Sequence, residues 1–245
     1  MKITETGLVL KEVKLREADR ILTLLMPEHG IVSVSARGSM RPNNKLFSAS
    51  GLFCFSEWTL REGKTMYSVD EAAPIEVFFG LRQSLEAVSL AAYLAELVQI
   101  LLPTGQEAEI LLRLVLNSFY LLSENKHSPV HVKSVFELRA LAESGYLPDF
   151  SACIRCGRED GLDCFDFSNG GLLCEKCRTV YEREANLTPG VLAAARHIVE
   201  CPAEKAFSFT LKEDAELQLG VVAEQYLLHQ FDYPPKTLSF LKTLF

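Results

Sequence analysis

The sequence reads as an α+β protein in two parts: a small five-stranded β-barrel at the N-terminus, then an all-α helical domain that carries an inserted four-cysteine module. Three observations lead there. Short apolar runs separated by turn residues fill the first eighty positions. After Pro74 the apolar residues recur at three- and four-residue steps instead. Two Cys-x-x-Cys pairs then interrupt the second part, Cys153 with Cys156 and Cys174 with Cys177. These place the barrel at residues 1–79, the helical domain at 80–245 and the cysteine module at 150–183, with the joint near 76–81.

Strand signals open at Gly7-Leu-Val-Leu10. Arg20–Met26 and Ile31–Ala36 follow, joined by Pro27-Glu-His-Gly30, a turn with Pro first and Gly last. Leu52–Leu60 and Thr65–Val69 make a second hairpin about Arg61-Glu-Gly-Lys64. An OB-fold is the economical closed arrangement for five strands, because closure removes exposed edges. Strand count alone does not separate it from an SH3-like barrel.

The helical period runs from Leu81 to Leu102, where Pro103-Thr-Gly105 breaks it, and again from Glu107 to Leu122. Ser134-Val-Phe-Glu137 has the form of a capping box, so a third helix is read from there or a few residues earlier, ending at Gly145 and Pro148. Thr188-Pro189 gives an N-cap with Pro in the first turn of a helix to about Glu200. Asp214–Phe231 is another helix, and Pro234-Pro235 sets off a short tail, Thr237–Phe245.

Composition narrows the function. With 48% hydrophobic residues the chain can bury a core, and its net charge of -7 excludes a globally basic nucleic-acid coat. The most apolar stretch, Ala87–Leu102, is broken by Glu96 and Gln99, whereas a membrane span needs about 20 apolar residues. No signal-peptide core follows Met1, so a cytoplasmic protein without membrane contact is expected. Phosphate-loop, nucleophile-elbow, dinucleotide and His-Glu-x-x-His motifs are missing, and the five histidines show no ligand or triad spacing. The chain reads as a binder, not an enzyme.

Cys153, Cys156, Cys174 and Cys177 form C-x2-C-x17-C-x2-C, the spacing of a zinc ribbon. Each pair can turn two thiolates on one ion, and four thiolates close a tetrahedral shell, so one structural Zn2+ is expected. A thioredoxin-like redox centre would need one pair between a strand and a helix, a context the sequence does not supply. Arg155, Arg158, Lys176 and Arg178 surround the tetrad, and charge balance against four thiolates explains them before nucleic-acid contact does. Cys54, Cys164 and Cys201 read as small hydrophobes.

Within the barrel, no acidic residue lies between Glu28 and Glu57, a window that holds Arg37, Arg41 and Lys45. Residues 1–80 carry ten Lys/Arg and ten Asp/Glu, so a local basic strip can meet a phosphate backbone although the whole chain is acidic. Phe47, Phe53, Phe55, Trp58 and Tyr67 are either barrel core or faces on which bases stack.

Ordered pieces along the chain resemble the bacterial recombination mediator family RecO. They are Glu17-Ala-Asp-Arg-Ile21, Pro27-Glu-His-Gly30, Val34-Ser-Ala-Arg-Gly38, Tyr93-Leu-Ala-Glu-Leu97, Phe136-Glu-Leu-Arg139, Gly145-Tyr-Leu-Pro148, Gly170-Gly171 before Cys174, and Leu238-Ser-Phe-Leu-Lys242. The resemblance implies an N-terminal OB-fold, a helical domain and a zinc module. It implies binding of single- and double-stranded DNA, annealing of complementary strands, and action with RecR, and in some bacteria RecF, to help RecA displace the single-strand-binding protein SSB in gap and break repair. Such a protein works at the nucleoid.

By position, Arg37, Arg41 and Lys45 are the expected DNA contacts, while Arg20 is expected to face Asp19 or Glu17 or to pack structurally. The resemblance places the acidic, apolar-ended SSB tail against Phe136, with Lys133 and Arg139 as the cations, although the doubled basic residues of some members are missing here. A zinc-ribbon interaction scaffold of the transcription-adaptor kind is the alternative, and a zinc hydrolase is disfavoured by the closed ligand shell.

Overall fold

A computed structural model describes residues 2–15 and 17–244; Met1, Arg16 and Phe245 lie outside the described residues. Contacts divide the chain into two compact units, Met1–Lys126 with Thr237–Phe245, and His127–Lys236.

The first unit begins with strands β1 (Lys2–Leu15), β2 (Asp19–Met26), β3 (Gly30–Ala36), β4 (Phe55–Arg61) and β5 (Tyr67–Glu76). They close in the order β1-β2-β3-β5-β4, β1 pairing with both β2 and β4. β3 meets β5 in parallel through Val34–Tyr67 and Ser35–Ser68. This closure is the five-strand Greek-key arrangement of an OB-fold and separates it from the SH3-like alternative.

β1 is much longer than the Gly7–Leu10 run that signals it. Its first half takes its ladder from β4 and its second from β2, with a register shift between Val9 and Lys11 that bends the strand from one to the other. Val9, Leu22, Leu24, Met26, Val34, Ala36, Trp58 and Leu60 fill the interior. Burial leaves the Trp58 indole one route to a partner, and its N–H donates to the Gly7 carbonyl at 3.0 Å.

Between β3 and β4 the chain forms a turn-rich loop and a short helix, α1 (Leu46–Ala49), too brief for the apolar period to reveal. The change of period falls where β5 ends, and Phe79–Gln83 make a single 3-10 turn. A Cβ on Gly80 would lie 2.0 Å from the Ser123 carbonyl oxygen, so only glycine allows this approach. Helices α2 (Leu85–Leu101) and α3 (Glu109–Ser123) follow; Ser84 caps α2 by accepting from the Ala87 N–H. Phe53 and Phe78 both adopt positive φ, at 63° and 48°, and set their rings edge-on against Phe119 of α3.

The second unit is built on α4 (Pro129–Glu143), which is buried on all sides from His131 to Leu141. Its N-cap is Ser128, whose hydroxyl accepts from the His131 N–H, and Ser134 is mid-helix, donating to the Val130 carbonyl. The capping-box pattern therefore marks the wrong turn: the helix starts five residues before Ser134 at Pro129, whose fixed φ suits the first position.

A three-stranded sheet follows, ordered β6 (Asp149–Cys153), β8 (Gly171–Cys174), β7 (Leu162–Asp166), then α5 (Glu175–Val180), α6 (Pro189–Glu200) and α7 (Glu213–Gln230). Thr188 stands at the α6 N-cap position, but its hydroxyl donates to Gln218 Oε1 instead of capping. The chain then returns to the first unit as α8 (Lys236–Leu241), where the Thr237 N–H and hydroxyl both donate to Glu96 Oε2, at 2.9 and 2.6 Å. No helix among the described residues is long and apolar enough to cross a membrane.

His131 is 1% exposed, stacks on His127 with ring centroids 4.3 Å apart, and places Nδ1 3.3 Å from Glu216 Oε1. Burial and the neighbouring His127 push its pKa down, against the pull of Glu216. The folded state then binds fewer protons than the unfolded chain once pH drops below about 6.5. Stability of this unit should fall as pH is lowered through that window, and His131→Phe should flatten the dependence of melting temperature on pH. An unchanged profile in the variant would show that other groups carry the acid sensitivity.

Candidate functional site

Three exposed cations of the first unit fall on one segment without an acidic residue. β3 ends at Ala36, and residues 37–45 run through two consecutive turns, Arg41 N–H to Gly38 O at 3.0 Å and Asn44 N–H to Arg41 O at 2.9 Å. Arg37, Arg41 and Lys45 are exposed there, and none of their side chains has a partner among the described residues. Among the other barrel cations, Arg61 pairs with Asp70 at 3.0 Å and Lys2 approaches the same carboxylate at 3.7 Å, whereas Lys11, Lys14 and Lys64 are exposed as these three are.

A cleft of about 620 Å³ runs beside the segment. Arg37, Asn43, Asn44 and Lys45 form one lip, and Glu57 on β4 with Asp70 and Glu71 on β5 form the opposite wall. The positive zone is therefore a lip and not a basic floor.

The aromatic residues divide. Trp58 and Phe53 are core, Phe55 and Tyr67 are half-buried, and Phe47 on α1 is 45% exposed. Arg20 packs structurally, but its partners are neither Asp19 nor Glu17. Nε lies 3.3 Å from Glu12 Oε2 and Nη1 donates to Ser50 Oγ at 2.9 Å. Successive side chains in a strand point to opposite faces, so the acid it meets comes from the paired strand β1.

In the second unit, β6 and β8 deliver Cys153 and Cys174 as their last residues, a knuckle carries Cys156, and Cys177 sits in α5. Gly157 (φ 72°) completes the knuckle by donating its N–H to the Cys153 carbonyl at 2.8 Å. All four sulfurs lie within 4.8 Å of one another, with Cys156 and Cys174 3.7 Å apart. A tetrahedral shell of about 2.3 Å metal–sulfur bonds spaces its sulfurs by about 3.8 Å, so the cluster fits one ion.

Metal-free, the thiols share protons. Burial raises the Cys153 pKa, but backbone N–H donors of Cys174, Arg155 and Cys156 outweigh it and draw it to about 6. Hydrogen bonding to Cys156 pushes Cys177 up to about 12. Three of the four neighbouring cations are occupied locally: Arg178 pairs with Asp163 at 2.9 Å, Arg158 approaches Asp160 at 3.6 Å, and Arg155 lies over the Tyr181 ring, while Lys176 is exposed.

Lys133, Phe136 and Arg139 lie inside this unit. Phe136 is fully buried, and Lys133 is 6% exposed between Glu137 and Glu224, at 2.8 and 2.9 Å. Burial alone would lower the lysine pKa; the two carboxylates raise it instead. Arg139, 8% exposed, donates Nη1 to the Ile198 and Cys201 carbonyls at the end of α6, at 3.0 and 2.7 Å, and pairs with Glu143. Glu224, Ile198 and Cys201 could not be read from the sequence because they lie about sixty to ninety residues away, whereas Glu137 and Glu143 stand one turn on in the same helix, a spacing that was legible.

Two family models cover most of the chain: Recombination protein O N terminal over residues 1–78 and Recombination protein O C terminal over residues 82–239. The chain belongs to the RecO family. Curated RecO relatives named DNA repair protein RecO match it from end to end. That of Acetivibrio thermocellus is 36% identical, covering 98% of this chain and 96% of its own, and that of Caldicellulosiruptor bescii is 32% identical over 99% of both. That of Symbiobacterium thermophilum is 30% identical, over 97% and 96%. RecO proteins are recombination mediators and not enzymes.

An ion held by the four cysteines would tie β6 and β8 to α5, a helix that buries none of its residues. Stripping the metal from a loaded preparation with a chelator should lower the melting temperature, and Cys174→Ser should reproduce the loss. Melting that ignores both would show that the cluster does not depend on metal.

Proposed function

We propose that this protein binds single- and double-stranded DNA along the Arg37–Arg41–Lys45 lip, anneals complementary strands, and acts with RecR, and RecF where present, to help RecA replace SSB. Family membership supports the repair role. The observation that carries the site is that these three exposed, uncommitted cations share one barrel segment within a stretch, Glu28 to Glu57, that holds no acidic residue between its ends.

Charge distribution favours the same unit. Residues 127–236 hold eleven Lys/Arg against seventeen Asp/Glu, a net of -6 out of the chain's -7, so nearly all of the net negative charge belongs to the second unit. A polyanion is repelled by the second unit and tolerated by the first.

Annealing needs phosphates screened and bases left free. Three point charges on a loop supply screening without reading base edges. Glu57 and Glu71 on the far wall keep the phosphate backbone at the lip, so few contacts form and the strand remains exchangeable. Phe47, exposed on α1, is the one aromatic of the group placed to touch a base.

The four cysteines hold a structural zinc ion in this reading, as thiolate ligands with no position left for a reacting water. Lys133, Phe136 and Arg139 serve the helical packing, so SSB meets some other surface. Truncating Lys133 would strand the fully buried Glu137, a loss of about 3–5 kcal/mol by analogy with other buried pairs.

Replacing Arg37, Arg41 and Lys45 together with Ala should reduce the slope of log K against log salt for single-stranded DNA by about 2, since each lost phosphate contact removes about 0.7. The same variant should anneal complementary oligonucleotides more slowly. An unchanged slope removes these residues from the site, and wild-type protein that fails to accelerate pairing returns the chain to an interaction scaffold.

A further inference from the structure

The three cations are presented by a segment that could have been a loose loop, and its restraint comes from Asp19, the first residue of β2, and Ala18 just before it. Asp19 Oδ1 accepts the Gly38 N–H at 2.7 Å, and the Ala18 carbonyl accepts the Met40 N–H at 3.0 Å. At the other end of the segment, Arg20 donates to the Ser50 hydroxyl and carbonyl, at 2.9 and 3.3 Å, and is itself steadied by Glu12. Consecutive residues of one strand thus hold positions 38 and 50.

We infer that Asp19 and Arg20 form a two-point clamp that preorganises residues 37–50 for DNA, making them positioning residues that do not themselves touch the strand. The inference rests on the proposed site and adds to it how that site is set.

Geometry at the first point is specific. Gly38 has a φ of +66°, and a Cβ there would come 2.8 Å from Asn44 Nδ2. The chain can therefore fold Arg37 against the turn that carries Arg41 only with glycine at 38, and this conformation turns the Gly38 N–H to Asp19. Asn44 Oδ1 then accepts the Leu46 N–H at 2.9 Å and hands the turn on to α1.

A carboxylate is an unexpected choice beside a phosphate-binding segment, because its charge opposes the ligand. It earns its place by accepting a hydrogen bond that is stronger when the acceptor is ionised. Holding and repelling are separable, since asparagine keeps the acceptor oxygen and loses the charge.

Preorganisation changes affinity without changing how many phosphates are touched. Freeing the loop costs ordering entropy on binding, and about 1.4 kcal/mol of it is a tenfold change in Kd. Asp19→Ala should therefore weaken single-stranded oligothymidine binding about tenfold with an unchanged salt slope, and speed hydrogen exchange at Gly38 and Met40. Asp19→Asn should bind at least as tightly as wild type, tighter at low salt.

The pair of variants gives opposite signs, which a purely structural or purely electrostatic role does not. Tighter binding by both variants, equal weakening by both, or wild-type binding by Asp19→Ala would each overturn the clamp. Should Asp19→Ala fail to fold, weaker binding by Asp19→Asn, or a Gly38 amide in wild-type protein that exchanges as fast as an unstructured one, would overturn it. Loss of the salt slope in the Arg37, Arg41, Lys45 triple variant with no effect of Asp19→Ala refutes the clamp and keeps the site. An unchanged slope in the triple variant refutes the site itself.

Discussion

The double pairing of β1 is the interaction on which the first unit depends. One edge of the strand is laddered to β2, its neighbour in sequence, and the other to β4, some fifty residues away. Without the β4 ladder the five strands would be an open sheet with two edges. The middle of β1 is also where other parts meet it: the Trp58 N–H binds the Gly7 carbonyl, and the Glu5 carboxylate accepts the Glu28 N–H and meets His29 in the β2–β3 turn. Closure fixes the distance between the end of β3 and the start of β4, and the basic segment must span it.

Rigid attachments around that barrel have a common form, a strained or committed group held by its neighbours. Phe53 and Phe78 sit in left-handed conformations that bulky residues avoid at a cost of order 1–3 kcal/mol each, and burial against Phe119 offsets it. Glu96 takes both donors of Thr237 and ties α8 to α2. The second unit follows the same logic with charge: Lys133 and Arg139 are buried because carboxylates and helix-end carbonyls satisfy them. Such groups specify one packing, and the exposed cations of residues 37–45 take no part in it.

Much of this was legible in the residues. Alternating runs and Pro-Glu-His-Gly turned out to be strands and a hairpin, the change of period marked where helices begin, and the cysteine spacing anticipated a cluster whose sulfurs the fold brings together. What could not be read depends on long-range pairing. The parallel β3–β5 contact that selects the OB-fold joins residues thirty-three apart, and the Glu12 partner of Arg20 follows from strand register. Lys133 and Arg139 looked like surface cations because nothing nearby in sequence shows that Glu224 and the end of α6 close over them. The apolar period missed α1 because four residues make barely one turn.

In the proposed mode DNA is held by a restrained basic segment on an otherwise near-neutral barrel, with the acidic helical unit excluded. Hydrogen exchange on the full-length, metal-loaded protein with and without a single-stranded oligonucleotide addresses it most directly. Added protection is expected at residues 37–50 and none of comparable size within 127–236. Protection confined to the second unit, with the segment after β3 exchanging as in the free protein, would contradict it.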